Sequence, residues 1–388
     1  MPIKILSVDD EQDLEILLTQ YFRRQIRKEV YKFYFAHNGI EALKILLDVK
    51  DIDIILSDIN MPEMDGLTLL TKVNELQNPS LKCIMVSAYG DMGNIRTAMN
   101  NGAFDFATKP IDLDDLSRTI EKAVEQINFI KASQAEHSQL TSLRNDLSIA
   151  GEIQKAILPS IFPPYPELLD KLDIYASMEP TMDVGGDFYD FFRIDDDRIG
   201  FVIADVSGKG VPAAIFMAVS RTLIRSTGMR GEETSVCMKF VNELLCNESH
   251  DMMFVTVFYG IYHISTGLIE YTNCGHNPPY ILKHNNEVVQ LPYAKNTIAG
   301  IMEDVTFESD QVTLEPGDAI ILYTDGVTEA ENADHEEFSD ERLVETLKSI
   351  PGADSKEIVD TIREDVASFV NGAPQSDDIT MLALKRFK

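Results

Sequence analysis

Residues 200–210, "GFVIADVSGKG", carry an apolar run into Asp205 and then into a loop with a lysine between two glycines. Such a loop after a strand suggests phosphate binding, but the pattern G-x-x-x-x-G-K-[ST] is not met. Ile203 stands where the first glycine belongs, and Gly210 stands where the magnesium-binding hydroxyl belongs. Lys209 therefore reads as a turn or surface lysine. Asp205 is better placed, because a rigid strand can present it. Similar acids recur beside other apolar runs: Asp187 in "VGGDFYD", Asp325 in "LYTDGVTEAEN", Asp377 and Asp378 in "SDDITML". One Asp-Gly alone is most simply a turn. Several such acids with no clustered His or Cys suit Mg²⁺ or Mn²⁺ rather than zinc. Two ions close together could hold a water, lower its pKa and clamp a phosphoryl oxygen. His276 in "NCGHNPP" is a candidate general acid, although a lone loop histidine is more often a hydrogen-bonded turn residue.

A second constellation lies near the N-terminus. Asp9 and Asp10 follow "IKILSV", Asp58 ends "DIDIILSD", Ser87 ends "KCIMVS" and Lys109 ends "DFATK". Ligand sites of parallel α/β sheets lie outside the carboxyl ends of the strands. Converging carboxylates there make a hard-cation site for Mg²⁺, and a carboxylate beside Mg²⁺ can attack phosphorus. A hydroxyl and a lysine can bind the phosphoryl oxygens.

The elements that must position these groups follow from periodicity. Within residues 1–125, five apolar strands alternate with five amphipathic helices, which predicts a doubly wound parallel sheet. A helical segment follows over residues 126–158. In it Leu140, Leu143, Leu147, Ala150, Gln154 and Ile157 keep a 3-4 spacing. That spacing fits a short coiled coil and homodimer, or equally one helix packed on its own domain. Residues 159–388 are strand-rich with two pairs of helical patterns, which predicts an α+β sandwich with helices on its outer faces. "DDD" at 195–197 reads as a solvated hairpin turn.

The first part resembles the CheY-like receiver domains of response regulators through "VDDE", "SDINMPEMDGL", "VSA" and "TKP". The resemblance implies that Asp58 accepts phosphate, that Asp10 binds Mg²⁺ with Asp9 nearby, and that the Asn60 carbonyl completes the metal shell. Ser87 and Lys109 would contact the phosphoryl group, and Phe106 matches the aromatic switch position. From about residue 150 the chain resembles the metal-dependent protein phosphatases (PPM) of the SpoIIE/RsbU branch. The motifs are "AGEIQKAILP", "DVGGDFYDFF", "ADVSGKGVPAAIFMA", "NCGHNPPYIL", "LYTDGVTEAEN" and "SDDITML". This implies an αββα sandwich holding two Mn²⁺ or Mg²⁺ ions. Asp205 would bridge them with the Val206 carbonyl on one, Asp187 would act at the first ion through water, and Asp325 and Asp377 would hold the second. Asp378 could share the role of Asp377. The implied protein is a regulator phosphorylated on Asp58 by a histidine kinase. Its output would be a phosphoserine/phosphothreonine phosphatase acting on a STAS-type anti-sigma-factor antagonist. A non-catalytic adaptor that controls a sigma-factor pathway by binding is the alternative.

The bulk properties agree. The net charge is −30, with −7 in residues 1–130 and −23 in the rest, and no basic patch offsets it, so nucleic acid is not an expected partner. Cys83, Cys237, Cys246 and Cys274 form no C-x-x-C pair and read as thiols of a reducing cytosol. The N-terminus does not read as a signal peptide, and no apolar run is long enough to span a membrane. A cytoplasmic location is the expectation.

Overall fold

The computed structural model describes residues 2–88, 91–248 and 253–387. The chain forms two compact units, Met1–Ser142 and Leu143–Lys388, and the division falls inside the helical segment that follows the first sheet.

The first unit is the doubly wound sheet expected from the alternating pattern. Strands β1 (Ile3–Val8), β2 (Tyr31–Ala36), β3 (Ile54–Asp58), β4 (Lys82–Ala88) and β5 (Asp105–Lys109) are all parallel, in the order β2-β1-β3-β4-β5. Helices α1 (Gln12–Tyr21), α2 (Arg23–Arg27), α3 (Gly39–Asp48), α4 (Gly66–Glu75), α5 (Met92–Asn100) and the start of α6 (Leu113–Ile157) connect or follow the strands. The sequence suggests one helix where α1 and α2 stand; Phe22, fully buried, separates them. The central strand β3 is buried along its whole length, as both-face coverage requires. Asn38, Asp65 and Asp91 cap α3, α4 and α5 by accepting from N–H groups of the first turn.

The second unit has two antiparallel five-stranded sheets. One runs β13-β10-β9-β8-β7 and the other β12-β11-β14-β15-β6. The strands are β6 (Leu172–Glu179), β7 (Phe188–Arg193), β8 (Arg198–Val206), β9 (Val255–His263), β10 (Leu268–Cys274), β11 (Tyr280–Leu282), β12 (Val288–Gln290), β13 (Asp310–Thr313), β14 (Ala319–Tyr323) and β15 (Ile379–Arg386). Helices α7 (Val211–Gly228) and α8 (Thr234–Glu248) cover the first sheet. After the short α9 (Asp325–Thr328), α10 (Ser339–Ser349) and α11 (Ser355–Val370) cover the second. Period-two alternation between two buried faces explains why β14 and the middle of β15, Met381–Leu384, are apolar without interruption. Ile320, Leu322, Leu382 and Leu384 enter the core between the sheets, while Ile321, Tyr323, Met381 and Ala383 enter the core under α10 and α11. Asp190, fully buried on β7, pairs with Arg225 at 2.6 Å and Arg221 at 3.2 Å and pins α7 to its sheet.

α6 is one uninterrupted helix of 45 residues, although its middle is mostly polar. Of the heptad positions, Leu140 and Leu143 are exposed, whereas Gln154 is buried and Leu158, just past the helix, joins the sandwich core. The last turns thus pack on their own unit. A Cβ on Gly151 would lie 2.2 Å from the Asp183 carbonyl oxygen, so the helix approaches that loop as only glycine allows. Gly151→Ala should lower the melting temperature of the second unit by a few degrees, about 1–2 kcal/mol, even though alanine favours helix by about 1 kcal/mol. An increase in calorimetry would mean that this contact does not hold the helix end.

Candidate functional site

Antiparallel pairing assembles the second constellation. β7 and β8 pair with Phe188 opposite Ala204, so the residue before β7, Asp187, and the end of β8, Asp205, come to the same edge. In the other sheet Tyr323 pairs with Met381, which brings the residues after β14, Thr324 and Asp325, beside those before β15, Asp377 and Asp378. The two sheets meet there: Thr324 Oγ1 donates to Asp187 Oδ2 at 2.7 Å.

The acids are not equivalent. Asp187 is buried, and loss of hydration, reinforced by the neighbouring Asp205, holds its carboxyl far above the usual range against the opposing Thr324 hydrogen bond. Burial, then Asp325, raises Asp205 to about 7. Burial and Asp377 raise Asp325. Such a set is unfavourable when ionised and alone, and its all-oxygen donors fit a hard divalent cation. Asp205, Asp187, Asp325 and Asp377 are the residues that could hold Mg²⁺ or Mn²⁺ here, together with the Val206 carbonyl at the end of β8.

Asp378 does something the sequence does not reveal. Its Oδ1 accepts from the Thr181 N–H at 2.7 Å, and its Oδ2 accepts from the Gly186 N–H at 2.7 Å and the Asp187 N–H at 3.4 Å. Both oxygens are thus engaged in fixing the loop that carries Asp187, whereas the sequence suggests a share in the role of Asp377. A Cβ on Gly185 would lie 2.3 Å from Asp378 Oδ2, which accounts for glycine at that position in "VGGD". The same loop is held from the other side by Gln154. Its Nε2 donates to the Gly185 carbonyl at 2.6 Å, and the Gly185 N–H donates to its Oε1 at 3.0 Å. The sequence offers Gln154 only as a heptad position.

Lys209 is not a free turn lysine. Its ammonium lies 3.0 Å from Asp377 Oδ2 and donates to the Ser376 carbonyl at 2.5 Å. His276 is buried. Its Nδ1 lies 2.8 Å from the Thr256 hydroxyl, its N–H donates to Asn273 Oδ1, and burial pushes its pKa down to about 4. It is neutral at pH 7, and Thr256 stands opposite Asp205 in the β8–β9 register. "DDD" at 195–197 does form the β7–β8 hairpin, with Asp195 accepting from the Asp197 and Arg198 N–H groups.

In the first unit Asp9, Asp10 and Asp58 each offer a carboxylate oxygen within 4.8 Å of the others. Asp9 and Asp58 are buried and Asp10 is exposed. Lys109 enters the group, 2.6 Å from Asp58, 2.9 Å from Asp9 and 3.0 Å from Glu11. Burial alone would lower the lysine pKa, but the hydrogen bonds to Asp58, Asp9 and Glu11 hold it above its usual value. Burial raises Asp9. The Ser87 hydroxyl is fully buried and has no hydrogen-bond partner among the described residues, as fits a group reserved for an anion. The Asn60 N–H donates to Asp58 Oδ1 at 3.3 Å. A Cβ on Gly66 would lie 2.0 Å from the Asp58 carbonyl oxygen, so the "MDGL" glycine lets α4 start against the end of β3. Phe106, on β5, is partly exposed.

A family model described as "Response regulator receiver domain" matches residues 5–121, and one described as "Stage II sporulation protein E (SpoIIE)" matches residues 195–387. Protein IcfG of Synechocystis sp. is 34% identical over 270 residues, 63% of this chain and 42% of that protein. The chain therefore spans less than half the length of that relative. The phosphoserine phosphatase RsbU of Bacillus subtilis is 27% identical over 279 residues, 70% of this chain and 81% of that protein. Chemotaxis protein CheY of Listeria monocytogenes is 38% identical over 121 residues, 31% of this chain and 98% of that protein. The solved SiaA-PP2C domain of Pseudomonas aeruginosa superposes with a TM-score of 0.55 at 21% identity, over 64% of this chain and 99% of that one, and shares the fold.

The raised pKa values set a sign for stability. In metal-free protein, Asp205 binds its proton more tightly folded than unfolded, so its contribution falls as pH rises from about 3.8 to about 7. Asp205→Asn, which cannot ionise, should melt higher than the parent in EDTA at pH 8, by on the order of 2 kcal/mol. It should also gain less than the parent when Mn²⁺ is added. A variant that melts lower in EDTA and gains as much from Mn²⁺ would contradict the electrostatic account.

Proposed function

Since the chain belongs to the proteins that join a response-regulator receiver to a SpoIIE-type protein phosphatase domain, we infer that it hydrolyses phosphoserine or phosphothreonine in a protein, under control of phosphorylation at Asp58. The observation that carries the reading is the convergence of Asp187, Asp205, Asp325 and Asp377 at one edge of the sandwich, where burial disfavours the charge of the first three. Bound divalent ions there supply Lewis acidity and a water of lowered pKa. Asp205 would hold both ions, with the Val206 carbonyl and Asp187 serving the first and Asp325 and Asp377 the second. Thr324 holds Asp187 in place through its hydroxyl, and Asp378 holds its backbone.

In the receiver, Asp58 takes the phosphoryl group from a histidine kinase. Asp10, Asp58 and the Asn60 carbonyl hold Mg²⁺, with Asp9 adjacent. Lys109, already on Asp58, and Ser87, with a buried hydroxyl to offer, bind the phosphoryl oxygens. Phe106 acts as the switch. The substrate we favour is a phosphorylated STAS-type anti-sigma-factor antagonist, as the resemblance to the SpoIIE/RsbU branch implies; a relative over most of the chain is named a phosphoserine phosphatase. A homodimer through residues 140–157, with the exposed Leu140 and Leu143 at its seam, completes the proposal.

What supports coupling is the contact of Gln154, near the end of α6, with both backbone groups of Gly185, two residues from Asp187. A change in α6 that moves Gln154 must move or unpair that loop, and a buried amide or carbonyl left unpaired costs about 1–3 kcal/mol. The rate of Mn²⁺-dependent phosphoserine hydrolysis should therefore change on adding beryllofluoride, a phosphoryl mimic, by about 5- to 150-fold. The change should vanish in Asp58→Ala and shrink towards unity in Gln154→Ala. Hydrolysis indifferent to beryllofluoride in the parent would remove the coupling, and no hydrolysis would remove the enzyme.

A further inference from the structure

The site as described has anions and places for metals, but no group yet assigned to the phosphoryl oxygens of the substrate. Among the described residues, the ion pairs of Asp187, Asp205, Asp325 and Asp377 involve one cation, Lys209. Other nearby basic side chains are committed elsewhere: Arg221 and Arg225 to Asp190, Arg363 to Asp360 and Glu179. We propose that Lys209 is the phosphoryl-binding residue of the phosphatase site, a role that rests on the function inferred above.

Three observations carry the assignment. First, Lys209 touches Asp377 directly, 3.0 Å away, and its charge also acts on Asp325, the two acids assigned to one ion. A lysine and a divalent ion compete for the same carboxylate, so a cation taken up at Asp377 weakens the hold on the ammonium. An ammonium so released can pair instead with a phosphoryl group bound at the ions. Second, the lysine can make the move. Its side chain is about half exposed at 49%, and it stands between Gly208 (φ +87°) and Gly210 (φ +74°), where an added Cβ would meet nothing within 4 Å. Third, it is three residues past the end of β8, four from Asp205, so one strand end presents both the shared metal acid and this cation. An ammonium is a compact point charge with three donors, suited to non-bridging phosphoryl oxygens.

The test is calorimetric binding of inorganic phosphate to the full chain loaded with Mn²⁺, and of Mn²⁺ alone, in the parent, Lys209→Ala and Lys209→Arg. Lys209→Ala should weaken phosphate by about 10- to 100-fold, the size of one hydrogen bond to a charged group. It should bind Mn²⁺ as tightly as the parent or tighter, because a competing cation is gone. Lys209→Arg should recover most of the phosphate affinity. With p-nitrophenyl phosphate, KM should rise more than kcat falls. Unchanged phosphate affinity in Lys209→Ala would overturn the proposal. So would a parallel loss of Mn²⁺ affinity, which would make Lys209 a strut of the loop. Failure of the function reading shows separately, as a parent that binds Mn²⁺ and hydrolyses nothing, and the phosphate titration still decides for or against Lys209.

Discussion

The mutual repulsion of buried carboxylates is the constraint around which the second unit is organised. Asp187 and Asp205 lie where hydration is lost; Asp205 disfavours the charge of Asp187, and Asp325 disfavours the charge of Asp205. A fold driven by its own stability alone would not keep them ionisable. Their neighbours hold them in place without neutralising them. Thr324 donates a single hydroxyl, Asp378 ties down the backbone on which Asp187 rides, and glycines at 185 and 186 let that backbone come close. What remains is a deficit of positive charge at the meeting edge of two sheets, and a divalent ion is the species that fills it.

The receiver handles the same problem differently. Two of its three acids already have an internal cation, because Lys109 reaches Asp58 and Asp9 as well as Glu11. That site has a lysine in place before any metal or phosphoryl group arrives, and an unpaired Ser87 hydroxyl beside it on the strand next to β5. The phosphatase acids have a lysine only at their edge, on Asp377. The difference fits the chemistry inferred for each: a carboxylate that must itself become phosphorylated, and a carboxylate set that must hold ions while another molecule reacts.

Much of this was legible in the sequence because strand ends are legible. An apolar run that stops at an acid marks both an element and the point where it presents a side chain, and this holds for Asp9, Asp58, Asp205 and Asp325, while Asp187 stands just before the run that positions it. The alternation of strands and helices likewise fixes the parallel sheet of the first unit. What periodicity cannot supply is pairing across long separations. Lys209 and Asp377 are 168 residues apart, so the lysine looked like an ordinary turn residue. Gln154 fitted a heptad, yet its partner is a backbone 31 residues away. Asp378 follows an acid assigned to metal and is chemically identical to it. Only the positions of the Thr181, Gly186 and Asp187 N–H groups give it a different task.

The central claim is that these buried acids form a proton-loaded cluster that exchanges protons for divalent ions. It is tested most directly by titrating Mn²⁺ into the metal-free full chain near pH 7, in two buffers of different ionisation enthalpy, and counting the protons released. The account predicts Mn²⁺ uptake with net proton release, and loss of that release in the Asp187→Asn/Asp205→Asn double variant. Uptake with no proton release in the parent, or the same release in the double variant, would contradict it.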